Sequence, residues 1–306
     1  MHINELFPHT FQALRRELGT DRTADRRPLW QRRLSADSDF CRAMVGSGYL
    51  TAAQMERAAR RYRLGRSRDG GVIFWQIDQL GTVYDGKIMH YRPDGHRDHR
   101  RPPYWVSACL RSNGLLPADW TSPHCLFGTH LLKMRNGENE KMRNGGNEEM
   151  RNGEDDGEDQ ASEKMRNGEN EKMRDGGNGK MRDGENGKMR DGGNGKMSTS
   201  QPVCVVEAEK TAVVMSELRP DYLWLATGGL YELTATKLFP LRGRRIILLP
   251  DTDTDGKAYA TWYRVTMEAQ RLLGHPIHLS PLLEQRATRE QREAKIDIVD
   301  WVVGGG

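Results

Sequence analysis

Long apolar runs are missing from this chain of 306 residues. No stretch approaches the roughly 18 consecutive apolar residues that a membrane-spanning helix needs. Residues 1–20 scatter Leu6, Phe7, Phe11 and Leu14 among polar neighbours, without the continuous core of a secretory signal. Cysteine is sparse: Cys41, Cys109, Cys125 and Cys204 lie far apart and make no Cys-x-x-Cys pair. Neither a disulfide framework nor a zinc ribbon is readable from that spacing. A helicase motor is missing too. Gly192–Met197 only imitates a phosphate loop, because Met197 stands where Ser or Thr must meet the metal and no strand precedes it. The expectation is a cytoplasmic protein with reduced thiols, no bound zinc and no membrane partner.

Between Lys133 and Met197 apolar residues are almost absent, Met and Ala161 being the exceptions. An octapeptide recurs there, Lys-Met-Arg-Asn-Gly-Glu-Asn-Glu and variants such as Lys172–Gly179. Such a segment buries too little to offset the entropy of ordering it, so disorder is expected. The unit is also shorter than solenoid repeats. It reads as a tandem duplication tolerated in a solvated linker. The chain then divides into a basic α+β part at 1–132, a linker at 133–200 and an α/β part at 201–306.

The net charge of +4 conceals a segregation. Residues 1–132 hold 20 Lys/Arg against 13 Asp/Glu, whereas 198–306 hold 13 against 14. An acidic partner is therefore expected on the first part, nucleic acid foremost. Arg57, Arg60, Arg61 and Arg63 gather at one helix end and, with Lys87, are the candidate phosphate-backbone contacts. Trp75, Tyr104 and Trp105 are candidate base-stacking residues, with core packing the more ordinary use of such side chains. His96–Arg101 reads as a solvated loop.

Periodicity predicts a helix through Phe11, Leu14 and Leu18, and a second over Thr51–Tyr62 with Thr51 as N-cap. A strand at Gly71–Asp78, a turn at Gly81 and a return strand over Thr82–Tyr91 form a hairpin. Short elements follow at Tyr104–Cys109 and Cys125–Leu132. After the repeats, strands are expected at 202–207, 222–226, 245–250 and 276–280, with helices at 209–217, 231–238 and 256–273. That alternation predicts a parallel sheet with helices on its faces.

Ligands bind such sheets at the carboxyl ends of the strands. Glu207, Gly228 and Asp251 all fall there. Asp251-Thr252-Asp253 can aim two carboxylates at one hard divalent cation, with Glu207 completing the site or acting as a base. Gly256 lets the backbone turn into the next helix, whose N-terminus favours anions. Helix capping by Asp253 or Asp255 is the plainer use of those acids.

Val206–Ala212, Thr227-Gly228-Gly229 and Asp251–Gly256 resemble the three motifs of the Toprim domain of bacterial-type primases, topoisomerases and some nucleases. Lys295-Ile296-Asp297-Ile298-Val299-Asp300 is similar to a segment that follows this fold in several primases. Arg61–Gly65, Val72–Asp78, Leu80–Val83, Pro103–Ser107 and Leu126–Gly128 resemble, in order, the small subdomain that precedes it. The resemblance implies a Toprim-like parallel sheet behind a small α+β primase subdomain. It implies Glu207 as acid/base or metal ligand, Asp251 and Asp253 as Mg²⁺ (or Mn²⁺) ligands, and Lys210 as a phosphate contact in catalysis. Gly228, Gly229, Asp255 and Gly256 would line the nucleotide. The implied activity is primer synthesis on single-stranded DNA from nucleoside triphosphates, in mobile-element replication, with a replicative helicase as a candidate partner. A Toprim nuclease and a non-enzymatic replication accessory stay open beside it.

Overall fold

Thr51 opens its helix through a reciprocal cap: its hydroxyl accepts from Gln54 N at 3.3 Å, and Gln54 Oε1 accepts from Thr51 N at 2.9 Å. This is one element of a computed structural model that describes residues 29–133 and 201–304. The helix expected through Phe11–Leu18 and the repeat tract beyond Lys133 lie outside the described residues. The first flank begins with α1 (Leu29–Arg32), α2 (Asp39–Gly46) and α3 (Ala52–Tyr62). An antiparallel sheet follows, β1 (Gly65–Arg66), β2 (Val72–Ile77), β3 (Val83–Met89) and β4 (Tyr104–Trp105), in that spatial order. The β2–β3 turn is tied by the Asp78 carboxylate, which accepts from Leu80 N at 2.8 Å and Thr82 N at 2.9 Å. The element expected at Tyr104–Cys109 divides: its first two residues are β4, and α4 (Val106–Ser112) begins at once.

The second flank alternates as expected. It runs β5 (Val203–Val206), α5 (Glu209–Leu218), β6 (Leu223–Ala226), β7 (Ile246–Leu249), α6 (Lys257–Leu273) and β8 (His278–Leu279), then short helices α7 (Leu282–Arg286), α8 (Arg289–Glu293) and α9 (Ile298–Val303). Its four strands are all parallel, in the order β6-β5-β7-β8. The fold is thus mixed α/β, with a four-stranded parallel sheet flanked by helices. The helix expected over 231–238 does not form. A 3-10 turn at Thr236–Leu241 stands there instead, and the Thr234 hydroxyl takes Lys237 N at 3.3 Å in competition with the helical acceptor.

One apolar core runs through both flanks, from Phe40, Tyr62, Phe74 and Phe127 to Val205, Leu225 and Trp262. The described residues accordingly fall in one compact unit. Phe127 bridges backbone to backbone with Ala226, at 2.8 and 3.1 Å, on the edge of β6. Tyr62 is fully buried, and its hydroxyl donates toward Trp224 O at 2.8 Å and Ala212 O at 3.2 Å. Tyr62→Phe should therefore cost about 1 kcal/mol in urea denaturation, since only the hydroxyl is lost and the ring stays packed.

Candidate carboxylate site

Parallel register brings three strand ends to one edge. Val206 pairs with Leu249 on one side and with Ala226 on the other. Glu207, Thr227 and the Pro250–Asp251 step therefore leave the sheet together. Burial pushes the Glu207 carboxyl above the ordinary carboxylate range, and the like charges of Asp253 and Glu209 add to it. The Leu230 amide and the Lys87 ammonium oppose that rise without cancelling it. Asp251 is driven well above the ordinary range, by burial first and then by Glu207, Asp297 and Asp300, against Lys210. Its carboxyl is deeply set although part of the residue reaches the surface.

Asp253 also holds the start of the next helix. Its Oδ1 accepts from Asp255 N at 3.1 Å and Lys257 N at 2.9 Å, and its Oδ2 from Ala258 N at 2.8 Å. Burial alone would raise this carboxyl, but the backbone amides outweigh it and hold it low. Asp253 thus caps α6, the plainer of the two uses its position allowed. Asp255 is exposed, and Gly256 supplies the left-handed turn, φ 64°, that opens the helix. Among the described residues, no three His, Cys, Asp or Glu side chains converge as a ready-made metal site. Between the two acids, Thr252 is 2% exposed, and its hydroxyl has no hydrogen-bond partner among the described residues. Thr252→Val, which keeps the shape and removes the buried hydroxyl, should leave the melting temperature unchanged or higher.

Lys87 reaches into this edge from β3. Its ammonium lies 3.1 and 3.3 Å from the Glu209 carboxylate and donates to Gly228 O at 2.7 Å. Glu209 is 1% exposed, so the pair is shut away from water. Gly228 adopts φ 91°, and a Cβ there would sit 3.0 Å from Glu209 Oε1, so strain and crowding both require glycine. Gly229 continues the turn, its carbonyl accepting from the Thr227 hydroxyl at 2.9 Å.

The C-terminal segment closes the other side. Thr252 N donates to Ile296 O at 3.1 Å, which seats residues 295–300 on the Asp251–Asp253 loop. Asp297 is 6% exposed; it accepts from the Thr211 hydroxyl and caps α9 through Val299 N and Asp300 N. Lys210 stands over the Tyr49 ring at 5.1 Å, and the Tyr49 hydroxyl donates to Asp300 Oδ1 at 3.4 Å. Tyr49 carries no local pattern that marks it, because everything it serves lies more than 150 residues later.

The cations expected to touch nucleic acid all have partners within the chain, and Arg60 keeps an exposed side chain. Arg61 is 8% exposed, paired with Glu217 at 2.9 Å and donating to the Ser216 hydroxyl at 2.9 Å. Arg57 meets the same Glu217 at 2.8 Å, Arg60 meets Glu56, and Arg63 lies over the Trp30 ring at 5.5 Å. For Arg57 and Arg61 the physical reason is the packing of α3 against α5, which brings the buried Glu217 up to the arginine-rich end. Trp75 is 2% exposed and belongs to a second apolar core with Ile73, Ile88 and Leu110.

A family model described as "Domain of unknown function (DUF6371)" matches residues 38–141 and 193–252, more than half of the chain. The matched segments carry Lys87, Glu207, Glu209, Gly228 and Asp251 and stop short of Asp253. No curated protein matches the chain.

Proposed function

We propose that this chain, which belongs to the family described as domain of unknown function DUF6371, is a Toprim-like nucleotidyltransferase of primase type. It would build short primers on single-stranded DNA from nucleoside triphosphates. One observation carries the reading: Glu207 and Asp251 leave register-paired parallel strands side by side, both carboxyls are raised by burial, and the Glu207 charge raises Asp251 further. Two carboxylates that repel each other at a strand-end cleft suit a hard divalent cation, Mg²⁺ or Mn²⁺, which takes one or two protein carboxylates beside waters and phosphates. When bound, that cation would supply charge stabilisation at a phosphoryl group.

The chain's own groups divide the remaining work. Glu207, held above the ordinary carboxylate range by burial, is suited to take the proton of an attacking 3′-hydroxyl near neutral pH. Lys210, in the first turn of α5, adds its charge to the positive end of that helix, where phosphate oxygens are favoured. The Gly228–Gly229 turn and the Asp255–Gly256 turn border the same edge without bulk. Asp253 keeps the start of α6 in position. No helix among the described residues is long and apolar enough to cross a membrane. A cytoplasmic site of action, with a replicative helicase as partner, belongs to the same proposal.

Purified protein given single-stranded template, labelled nucleotides and Mg²⁺ or Mn²⁺ should make short oligonucleotides. Glu207→Gln should lower that rate by about 10²-fold or more. If no product forms over a broad range of templates and metals, synthesis is lost. Template cleavage in its place would leave the nuclease reading, with water attacking where the 3′-hydroxyl was expected.

A further inference from the structure

Three aromatic side chains of the first flank looked alike in sequence, and the fold separates them. Trp75 and Tyr104 pack in the second apolar core, whereas Trp105 belongs to neither core. Trp105 lies directly opposite Lys87 in the β3–β4 register. Residues so paired share one face of the sheet, and Tyr104, one position earlier, points to the other. The Trp105 ring therefore stands on the face from which the Lys87 ammonium reaches Gly228.

Against Trp105 lies His124, with ring centroids 4.0 Å apart and planes 24° from parallel. His124 Nε2 is 3.5 Å from Asp85 Oδ2. Asp85 is 1% exposed and fixed by Ser107 N at 3.0 Å and the Ser107 hydroxyl at 2.5 Å. The histidine is thus anchored from behind while its side chain stays 25% exposed. Trp105 is half-buried. Glu232, held low first by its Lys237 hydrogen bond, also feels the charges of His124 and Lys87. Lys87, paired in register with Trp105, donates to Gly228 O at 2.7 Å, so the stack and the turn after β6 lie on the same side of the sheet.

We propose that the Trp105–His124 stack is a platform for a nucleobase, holding it beside the Glu207–Asp251 edge. A preassembled aromatic pair outside either core offers a flat face that any base can cover. Stacking of this kind is worth roughly ten-fold in affinity per base. The inference rests on the nucleotide-handling function proposed above, and it names which part of a nucleotide the first flank holds.

The test is equilibrium binding by fluorescence anisotropy, without turnover, using oligothymidylate and an abasic oligomer of equal length and charge. Wild type should bind the base-bearing oligomer roughly ten-fold more tightly than the abasic one. Trp105→Ala should erase that preference and leave abasic binding unchanged, while Trp105→Phe retains most of it. Competition by adenosine triphosphate identifies the source of the base. A Trp105→Ala loss confined to the triphosphate assigns the platform to the incoming nucleotide, and a loss confined to the oligomer assigns it to the strand. A Trp105→Ala protein that keeps both its base preference for the oligomer and its competition by the triphosphate, or a loss shared equally by abasic and base-bearing oligomers, overturns the proposal. If Trp105→Ala does not fold, His124→Ala removes the supporting ring and carries the same comparison. Base-dependent binding without any primer synthesis would sink the nucleotidyltransferase reading and leave the platform; synthesis with no Trp105 effect would do the reverse.

Discussion

Asp251→Asn is expected to raise the melting temperature near pH 8 while abolishing nucleotide incorporation. In the folded chain burial raises both the Asp251 and Glu207 carboxyls and the Glu207 charge raises Asp251 further, whereas the unfolded chain ionises them in the ordinary range near pH 4. Below that range both states hold their protons and the pair costs nothing. From that range up to the raised folded values the native state holds more protons than the unfolded chain, so stability falls across that interval and levels off above it. Asparagine removes the charge from one partner. The gain should be small near pH 4 and grow toward pH 8, reaching about 0.5–2 kcal/mol, the usual return from relieving a functional site. For a chain of this size that reads as roughly 2–8 °C in calorimetry. Added Mg²⁺ should stabilise wild type at pH 8 and leave Asp251→Asn unmoved, because only a charged pair rewards the ion. A lower melting temperature for Asp251→Asn at pH 8 would contradict the whole electrostatic account of this edge.

Lys87→Met should be the most damaging single change outside the apolar core. It strips the counter-charge from Glu209, which is 1% exposed, and removes the donor at Gly228 O. Breaking one side of a buried pair costs about 3–5 kcal/mol, a loss on the order of 10 °C here. The double variant Lys87→Met with Glu209→Gln should recover most of it, since a neutral buried pair needs no counter-charge. A lysine that served only as a phosphate contact would behave otherwise. Its loss would weaken oligonucleotide binding and flatten the salt dependence, with the urea midpoint unchanged. Urea titration of the single and double variants, beside binding at two salt concentrations, separates the two roles. A Lys87→Met protein as stable as wild type would remove the buried pair from the explanation.

The architecture was readable wherever the information was local. Val203–Val206, Leu223–Ala226 and Ile246–Leu249 are short apolar runs closed by turn residues, and each became a parallel strand within a residue or two of expectation. Thr51 announces its helix as an N-cap, and the structure adds Gln54 as the reciprocal partner one turn on. The helix expected over 231–238 failed for an equally local reason, the Thr234 hydroxyl competing for the Lys237 amide, which apolar spacing underweighted. Asp253 shows the limit of spacing. Asp-x-Asp permits two carboxylates on one cation or one carboxylate on a helix start, and only the path of the chain after Gly256 brings the Lys257 and Ala258 amides onto Asp253.

From residue order alone came the alternation of strand and helix, the basic surplus before the repeats, and the arrival of Glu207, Gly228 and Asp251 at strand ends, all of which follow from neighbours within a few positions. Tertiary structure decided what the charges do. Arg61 and Lys87 look like solvent-facing cations until packing brings them buried carboxylates 156 and 122 residues away in the chain. Asp297 looks like an exposed tail acid until Ile296 pairs with the Asp251–Asp253 loop. The reason is physical: apolar periodicity reports which face of an element is buried, but the worth of a charge depends on the partner and the dielectric it meets, and both are set by contacts between distant parts of the chain.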